Sequence, residues 1–281
     1  MKDIAYYNGK IGPIEEMTVP MNDRGCYFGD GVYDATCGRN GIPYALDAHV
    51  ERFFNSAGLA RIKLEVSREE LKSLLLELAG KVETDGNIMV YWQATRGTAM
   101  RRHGFPDGKS NLWAYIVPHE LGDMKKGIKL KTVEDTSFFH CNIKTLNLLP
   151  NVLAQQKAEE SGADIALFHR GERVTECAHS NISIIKDKIL KTAPADNLIL
   201  PGIARAHLIK KCKSFDIPVD ETAFTLKELM EADEIIITNS STFCGRAVEV
   251  DGIKAGGRES GIIERLQKAL MEDYLEETKA K

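Results

Sequence analysis

Residues 141–158, CNIKTLNLLPNVLAQQKA, decide how this chain is read. Lys144 stands between Ile143 and the run Leu146-Asn147-Leu148-Leu149, and a helical pattern opens behind Pro150. Lysine is among the residues least often buried, because an ammonium taken out of water without a partner is costly. A lysine with such neighbours is either a surface residue of an edge strand or a desolvated amine suited to Schiff-base chemistry. What lies on either side of it separates the two readings.

Upstream, Asn22 to Asp34 (NDRGCYFGDGVYD) alternates three glycines with aromatic and charged residues. It reads as a tight turn feeding a strand, or as a loop whose backbone comes close to a ligand, since glycine has no Cβ. Downstream, ERVTECAHSNISII puts Glu176 between a turn and a strand. It is a loop carboxylate or an acid that faces a cationic ring nitrogen. In ILPGIARAHLIKK, Pro201-Gly202 ends a strand and a helix opens at Ile203. The N–H groups of Ile203 and Ala204 then form an anion site on the helix N-terminus. Ser240-Ser241-Thr242, after EIIITN, offers hydroxyls to the same anion. One lysine among apolar residues, one acid and one phosphate cradle form a set that suits pyridoxal 5'-phosphate.

Composition removes several competing classes. The 281 residues carry 37 Lys+Arg against 41 Asp+Glu, a net charge of −4, and 43% are hydrophobic. Disorder requires lower hydrophobicity and higher net charge, and a nucleic-acid binder a basic excess. No apolar run approaches the ~20 residues of a bilayer span. The first twenty residues have no apolar core of a signal peptide, so a cytoplasmic protein is expected. Six cysteines are scattered without a CxxC pair, consistent with reduced thiols, and seven histidines show no HExxH; no metal site is expected. No GxGxxG follows a strand and no GxxxxGK[ST] loop is present, which weakens dinucleotide and P-loop readings.

The element pattern is mixed. Asn8-Gly9 and Asn40-Gly41 each lie between apolar-rich stretches and predict hairpins. A helix is predicted after Asp47, the candidate N-cap, and another over SREELKSLLLELAGKV, with Ser67 and Glu70 as a capping box. Strands are predicted at NIMVYWQATRG, NLWAYIVPHE, GIKLKTV, ADIALFHRGERV, NISIIKDKILKT, DEIIITN and RAVEVDG, and helices at NVLAQQKAEESG, GIARAHLIKKCKSF and IIERLQKALMEDYLEE. There is no strict βαβ alternation, so the fold class is α+β with two subdomains. The expected division is an N-terminal subdomain over 1–117, a linker over 118–126 and a C-terminal subdomain over 127–281 that carries Lys144.

The ordered series DRGCYFGDGVYD, HVERF, RGTAMRRHGFP, NIKTLNLL, VTECAHSN, LPGIAR and TNSST resembles the class IV (fold-type IV) pyridoxal-phosphate aminotransferases, most closely their D-amino acid members. The likeness covers nearly the whole chain. It implies a two-subdomain enzyme with the cofactor between the subdomains. Lys144 would form the internal aldimine and Glu176 would bond the pyridine nitrogen. Arg52, the Ile203 and Ala204 amides and the Ser241 hydroxyl would hold the phosphate, and Leu200 would pack on the ring. Tyr33 would lie beside the substrate. The Arg101-x-His103 pair would hold the substrate α-carboxylate on a loop that reaches the other subunit, which implies a homodimer acting on amino acids and 2-oxo acids. L-branched-chain aminotransferases and 4-amino-4-deoxychorismate lyases share the fold, and Arg101-x-His103 argues against both. A non-catalytic binding protein that kept the fold is the remaining class, and Lys144, Glu176 and Arg52 together argue against it. The chain departs from the family's pattern at Asp34, where Glu is frequent, and at Cys26, Tyr27, Ala35, Cys37, Ala178 and His179. Arg102 adds a charge that is expected to favour acidic D-amino acids.

Overall fold

The Asn-Gly pairs make the hairpins that their positions predict. Asn8 and Gly9 both take positive φ (46° and 99°), as do Asn40 and Gly41 (54° and 72°), which is the backbone that a two-residue turn requires. The structure, a computed structural model, describes residues 2–84 and 86–280. The chain divides into two units, one of residues 1–121 with 143–147 and 274–281, the other of residues 122–142 and 148–273.

The first unit holds β1 (Ile4–Tyr7), β2 (Lys10–Gly12), α1 (Arg24–Phe28), β3 (Gly31–Arg39), β4 (Ile42–Pro43), α2 (Leu46–Leu59), α3 (Arg68–Ala79), β5 (Asn87–Thr95) and β6 (Asn111–His119). Its antiparallel sheet runs β2-β1-β6-β5-β3-β4. Strand alternation gives the sheet two faces. One buries Ile88, Val90, Trp92, Ala114 and Ile116 against Val50, Phe53 and Ala57 of α2 and Leu71, Leu75 and Leu78 of α3. Each buried Val, Leu, Ile or Phe among them contributes about 1.5–3 kcal/mol on leaving water. The other face carries a ladder of rings: Tyr33 on Tyr91 at 5.5 Å and Tyr91 on Tyr115 at 5.0 Å.

The Ser67–Glu70 capping box is present as expected at the start of α3. Asp47 is not the N-cap of α2. That place belongs to Ala45 at φ 50°, and Asp47 sits in the first turn, where its charge favours the helix dipole. Pro118 and His119, placed in the linker by sequence, close β6. Proline is tolerated there because β1 pairs only as far as Ile116, so no partner strand needs the missing N–H.

The second unit holds β7 (Gly127–Glu134), α4 (Leu149–Glu160), β8 (Ile165–Arg170), β9 (Arg173–Cys177), β10 (Asn181–Lys186), β11 (Ile189–Thr192), α5 (Ile203–Ser214), β12 (Val219–Asp220), α6 (Leu226–Met230), β13 (Glu234–Thr238), β14 (Gly245–Val250), β15 (Ile253–Lys254) and α7 (Ser260–Glu277) as far as Asp273, the residues of α7 from Tyr274 on belonging to the first unit. Its mixed sheet runs β12-β11-β10-β13-β14-β7-β8-β9, with β15 on β14. Ile182, Ile184, Ile235, Ile237, Leu130 and Leu167 form its core with Phe224 and Leu229. The fold class is α+β, as the sequence pattern predicts.

Two returning segments complete the first unit. Residues 143–147 lie along the open edge of β3. Tyr33 N–H donates to the Lys144 carbonyl at 2.9 Å and Leu146 N–H to the Gly31 carbonyl at 3.1 Å. At the C-terminus, the buried Tyr274 hydroxyl lies 2.8 Å from both the Gly38 carbonyl and Asn87 Oδ1, and Glu277 accepts the Ala45 N–H. No helix among the described residues is long and apolar enough to cross a membrane.

Candidate active site

Lys144 is positioned by its backbone. Its carbonyl is bound to β3, and its N–H donates to Ser56 Oγ of α2 at 3.1 Å. The segment can lie this close because residue 31 is glycine. A Cβ there would come 2.6 Å from Leu146 Cδ1 and 2.7 Å from the Ala94 carbonyl. The close approach expected of this glycine-rich stretch is therefore made, at Gly31, by the lysine segment itself. The Lys144 side chain is half-buried rather than enclosed, and its ammonium lies 4.2 Å from the centre of the Tyr33 ring. An aromatic face attracts a cation through its quadrupole. Lys144 thus lies on an edge segment, half-buried, with its ammonium against an aromatic ring.

Arg52 sits one helical turn beyond His49 on α2, and both reach Asp34 of β3. Arg52 Nε donates to Asp34 Oδ2 at 2.9 Å and Nη2 to Oδ1 at 2.7 Å, while His49 Nδ1 lies 2.8 Å from Oδ1. A carboxylate only accepts, so His49 carries its proton on Nδ1. Asp34 is 0% exposed, His49 2% and Arg52 8%. Burial alone would raise the Asp34 pKa, but Arg52 and His49 outweigh it and hold the carboxyl well below its usual range. Burial pushes His49 below the usual imidazole range against the pull of Asp34, and Arg52 and Lys144 add to the push. His49 was not among the residues singled out in sequence. The signal was its i, i−3 spacing from Arg52, which puts both on one helix face.

These shifts give stability a sign with pH. The folded state of His49 holds its proton less tightly than the unfolded chain, whose imidazole titrates near 6.5. Its contribution is therefore complete above that pH and is lost as pH falls through it towards the folded value. Asp34 adds a loss only below about pH 4. Burial also pushes His119 and His207 down, so the test is a difference between proteins. Between pH 7 and 5, urea unfolding of the wild type should lose up to about 1.4 kcal/mol per pH unit more than that of His49→Gln. Equal slopes would remove His49 from this role.

Arg101 and His103 lie on the loop between β5 and β6. Both are exposed, and both meet one ring: the Arg101 guanidinium lies 5.1 Å and the His103 ring 5.3 Å from the centre of Phe28. The base of the loop is tied to α1 through buried Asp23, which accepts from Thr95 Oγ1 at 2.9 Å and Asn111 Nδ2 at 2.6 Å.

In the second unit, Asn181 ties together Glu176 and Leu200. Glu176 Oε2 accepts the Leu200 N–H at 2.9 Å and Asn181 Nδ2 at 3.2 Å, and the same Nδ2 donates to the Leu200 carbonyl at 2.9 Å. A carboxylate held this way has a set orientation. Gly202 follows because a Cβ there would fall 1.9 Å from Asn181 Oδ1. Helix α5 begins at Ile203, and no side chain caps it. Its first N–H groups and dipole are arranged for an anion. Arg205 points away from this end: it donates to Thr192 Oγ1, the Ala193 carbonyl and Glu221. Ser241 lies in a loop whose shape is set by Asn239 Oδ1, which accepts the N–H groups of Ser241 and Thr242 at 2.9 and 2.8 Å. Neither Asn181, which was read only as part of a strand, nor Asn239 was a candidate site residue in sequence.

The family model described as amino-transferase class IV matches residues 31–250. The chain belongs to the class IV aminotransferases. Among curated members, the D-alanine aminotransferase of Listeria monocytogenes serotype 4b (strain F2365) is 40% identical over 277 residues, covering 96% of this chain and 95% of its own. That of Staphylococcus haemolyticus is 38% identical over 276 residues, covering 97% and 98%. Among solved structures, the branched-chain amino acid aminotransferase of Escherichia coli superposes with a TM-score of 0.89 at 22% identity, covering 100% of this chain and 97% of its own. The branched-chain aminotransferase of Thermoproteus uzoniensis, solved with norvaline, gives 0.87 at 22% identity, covering 97% of each chain. These two show the class IV fold alone. Arg52, Lys144, Glu176, Leu200, Ile203, Ala204 and Ser241 all fall inside the region that the class IV family model matches.

Proposed function

We propose that this class IV aminotransferase uses pyridoxal 5'-phosphate to move an amino group between a D-amino acid, of the D-alanine or D-glutamate type, and a 2-oxo acid. The observation that carries the reading is the pairing of Arg101 and His103 against Phe28. A guanidinium and an imidazole on one short loop are a donor set for a carboxylate. Two D-alanine aminotransferases at 38–40% identity over nearly the full chain support it.

The residues present fit the cofactor by their chemistry: an amine, an oriented carboxylate, a guanidinium and an uncapped helix N-terminus. When bound, pyridoxal 5'-phosphate supplies a carbonyl that condenses with amines and a ring that takes up the electron pair left by the α-proton. Lys144 is the site of attachment, and its Nζ takes the proton from the substrate Cα and returns it. Glu176 holds a proton at the ring nitrogen. Arg52, the Ile203 and Ala204 N–H groups and the Ser241 hydroxyl would bind the phosphate, and Leu200 would pack on the ring. Tyr33, stacked on Tyr91, holds the amine of Lys144 on its face and borders the substrate. Arg101 and His103 hold the α-carboxylate. The enzyme acts in the cytoplasm as a homodimer in which this loop serves the other subunit; Arg101, Arg102 and His103 are all exposed in the single chain.

The test is a half-reaction. The holoenzyme is mixed separately with D-alanine, D-glutamate, L-leucine and L-glutamate, and conversion to the pyridoxamine form is followed by absorbance. Conversion with the D-amino acids is expected. Conversion with the L-amino acids alone overturns the D assignment. Conversion with none, with pyruvate released from 4-amino-4-deoxychorismate, makes the chain a lyase.

A further inference from the structure

The loop that carries Arg101 and His103 is gripped from below by a residue that the reaction does not otherwise use. Arg24, in α1, is 3% exposed. Its Nε donates to Asp30 Oδ2 at 2.7 Å. Its Nη1 donates to the Arg102 carbonyl at 2.5 Å and lies 3.3 Å from the Gly104 carbonyl. Those two carbonyls flank His103. The guanidinium also lies 4.9 Å from the centre of Phe28, the ring that Arg101 and His103 both touch.

Asp30 is itself held from the other side. Arg96 donates Nε to Oδ2 at 2.9 Å and Nη2 to Oδ1 at 3.0 Å, and its guanidinium covers Phe105, further along the same loop, at 3.6 Å. Arg96 also reaches the Ala60 and Arg61 carbonyls at the end of α2. Arg24 is therefore fixed at its Nε end and spends Nη1 on the loop backbone. An exposed loop bearing long side chains would otherwise sample many conformations, and ordering it on binding would weaken the substrate complex.

We propose that Arg24 is a positioning residue for substrate recognition: by fixing the carbonyls on either side of His103 and sharing the Phe28 ring, it pre-organises Arg101 and His103 for a carboxylate. The inference rests on the reading that these two residues hold the α-carboxylate. Lysine cannot replace arginine here. A single ammonium can neutralise Asp30, but it cannot also present a planar fork to Phe28 and the loop.

The experiment uses the holoenzyme of wild type, Arg24→Lys, Arg101→Ala and the double variant, with D-alanine as substrate. For Arg24→Lys the KM should rise about tenfold with kcat changed by less than about twofold, the pattern of lost binding rather than lost chemistry. A second readout needs no activity. Tryptic cleavage after Arg101 and Arg102, followed by mass spectrometry, should quicken about tenfold as the loop loosens. In the double variant, KM should rise less over Arg101→Ala than Arg24→Lys raises it over wild type, because only His103 is then left for Arg24 to position. Additive effects, a fall in kcat at constant KM, or unchanged cleavage would each overturn the proposal. An unchanged KM in Arg101→Ala overturns the carboxylate reading itself. The cleavage measurement still decides whether Arg24 holds the loop, so the two failures are read apart.

Discussion

Lys144→Ala is expected to lower kcat by about 10⁴-fold or more, the largest effect of any single change in this chain. The expectation follows from how the lysine is held. Its backbone is pinned on both sides, by Tyr33 N–H on its carbonyl and by Ser56 Oγ on its N–H, so alanine leaves the segment in place and removes only the amine. The variant should fold normally and should still retain pyridoxal phosphate through the phosphate-binding groups. Loss of turnover with retained cofactor, measured by desalting and absorbance, separates loss of chemistry from loss of structure. A small alkylamine added to the medium should restore part of the proton transfer. Multiple turnovers at more than a hundredth of the wild-type rate would contradict the role.

Asp34→Asn is expected to cost about 3–5 kcal/mol of stability at pH 7, a large share of the 5–15 kcal/mol that a folded protein holds. The amide keeps the shape of the carboxylate and removes its charge. The Arg52 guanidinium, 8% exposed and bound to Asp34 by two nitrogens, then loses its counter-charge. His49 keeps an oxygen to donate to, but a neutral one. Urea unfolding gives the free energy, and cofactor affinity should fall in parallel because the guanidinium assigned to the phosphate is no longer oriented. A loss below about 1 kcal/mol would mean that shape rather than charge holds Arg52. Asp34→Glu is a milder test: one extra methylene at a fully buried position should cost about 1–3 kcal/mol by overpacking.

Much of the fold was legible along the chain, because local rules decide it. The Asn-Gly turns, the Ser67 capping box and the break at Pro201-Gly202 each act within a few residues. Alternation and helical periodicity found the strands of four or more residues except β1 and β3, which appear only as arms of the two predicted hairpins, and the helices of twelve or more. Short elements such as α1 and α6 were missed, since five residues carry too little periodicity to read. The candidate residues were legible as types but not as arrangements. Nothing in the sequence says that Asp34 belongs to Arg52, 18 positions away, or that Arg24 reaches Arg102, 78 positions away. Such pairs form when strands and helices from separate parts of the chain converge. The glycines between Asn22 and Asp34 show the same limit. Their need for space was readable, and their neighbours were not. The start of α2 shows the converse: Asp47 has the right chemistry for a cap, but the turn out of β4 brings Ala45 to that position at positive φ.

The interrupted course of the first unit has a consequence for how the protein is made. Its sheet is laid down within the first 121 residues, yet Lys144 arrives only with 143–147, and the buried Tyr274 that reaches Gly38 and Asn87 arrives only with 274–281. A ribosome adding about 5–20 residues per second takes roughly 8–30 s to travel from the end of the first stretch to the last. During that interval the nascent sheet waits with the edge of β3 uncovered and the site of Tyr274 empty. Vectorial synthesis therefore delays completion of this unit until residues 274–281 have been made. Lys144, the amine proposed to do the chemistry, joins a sheet that is locked only once residues 274–281 have followed.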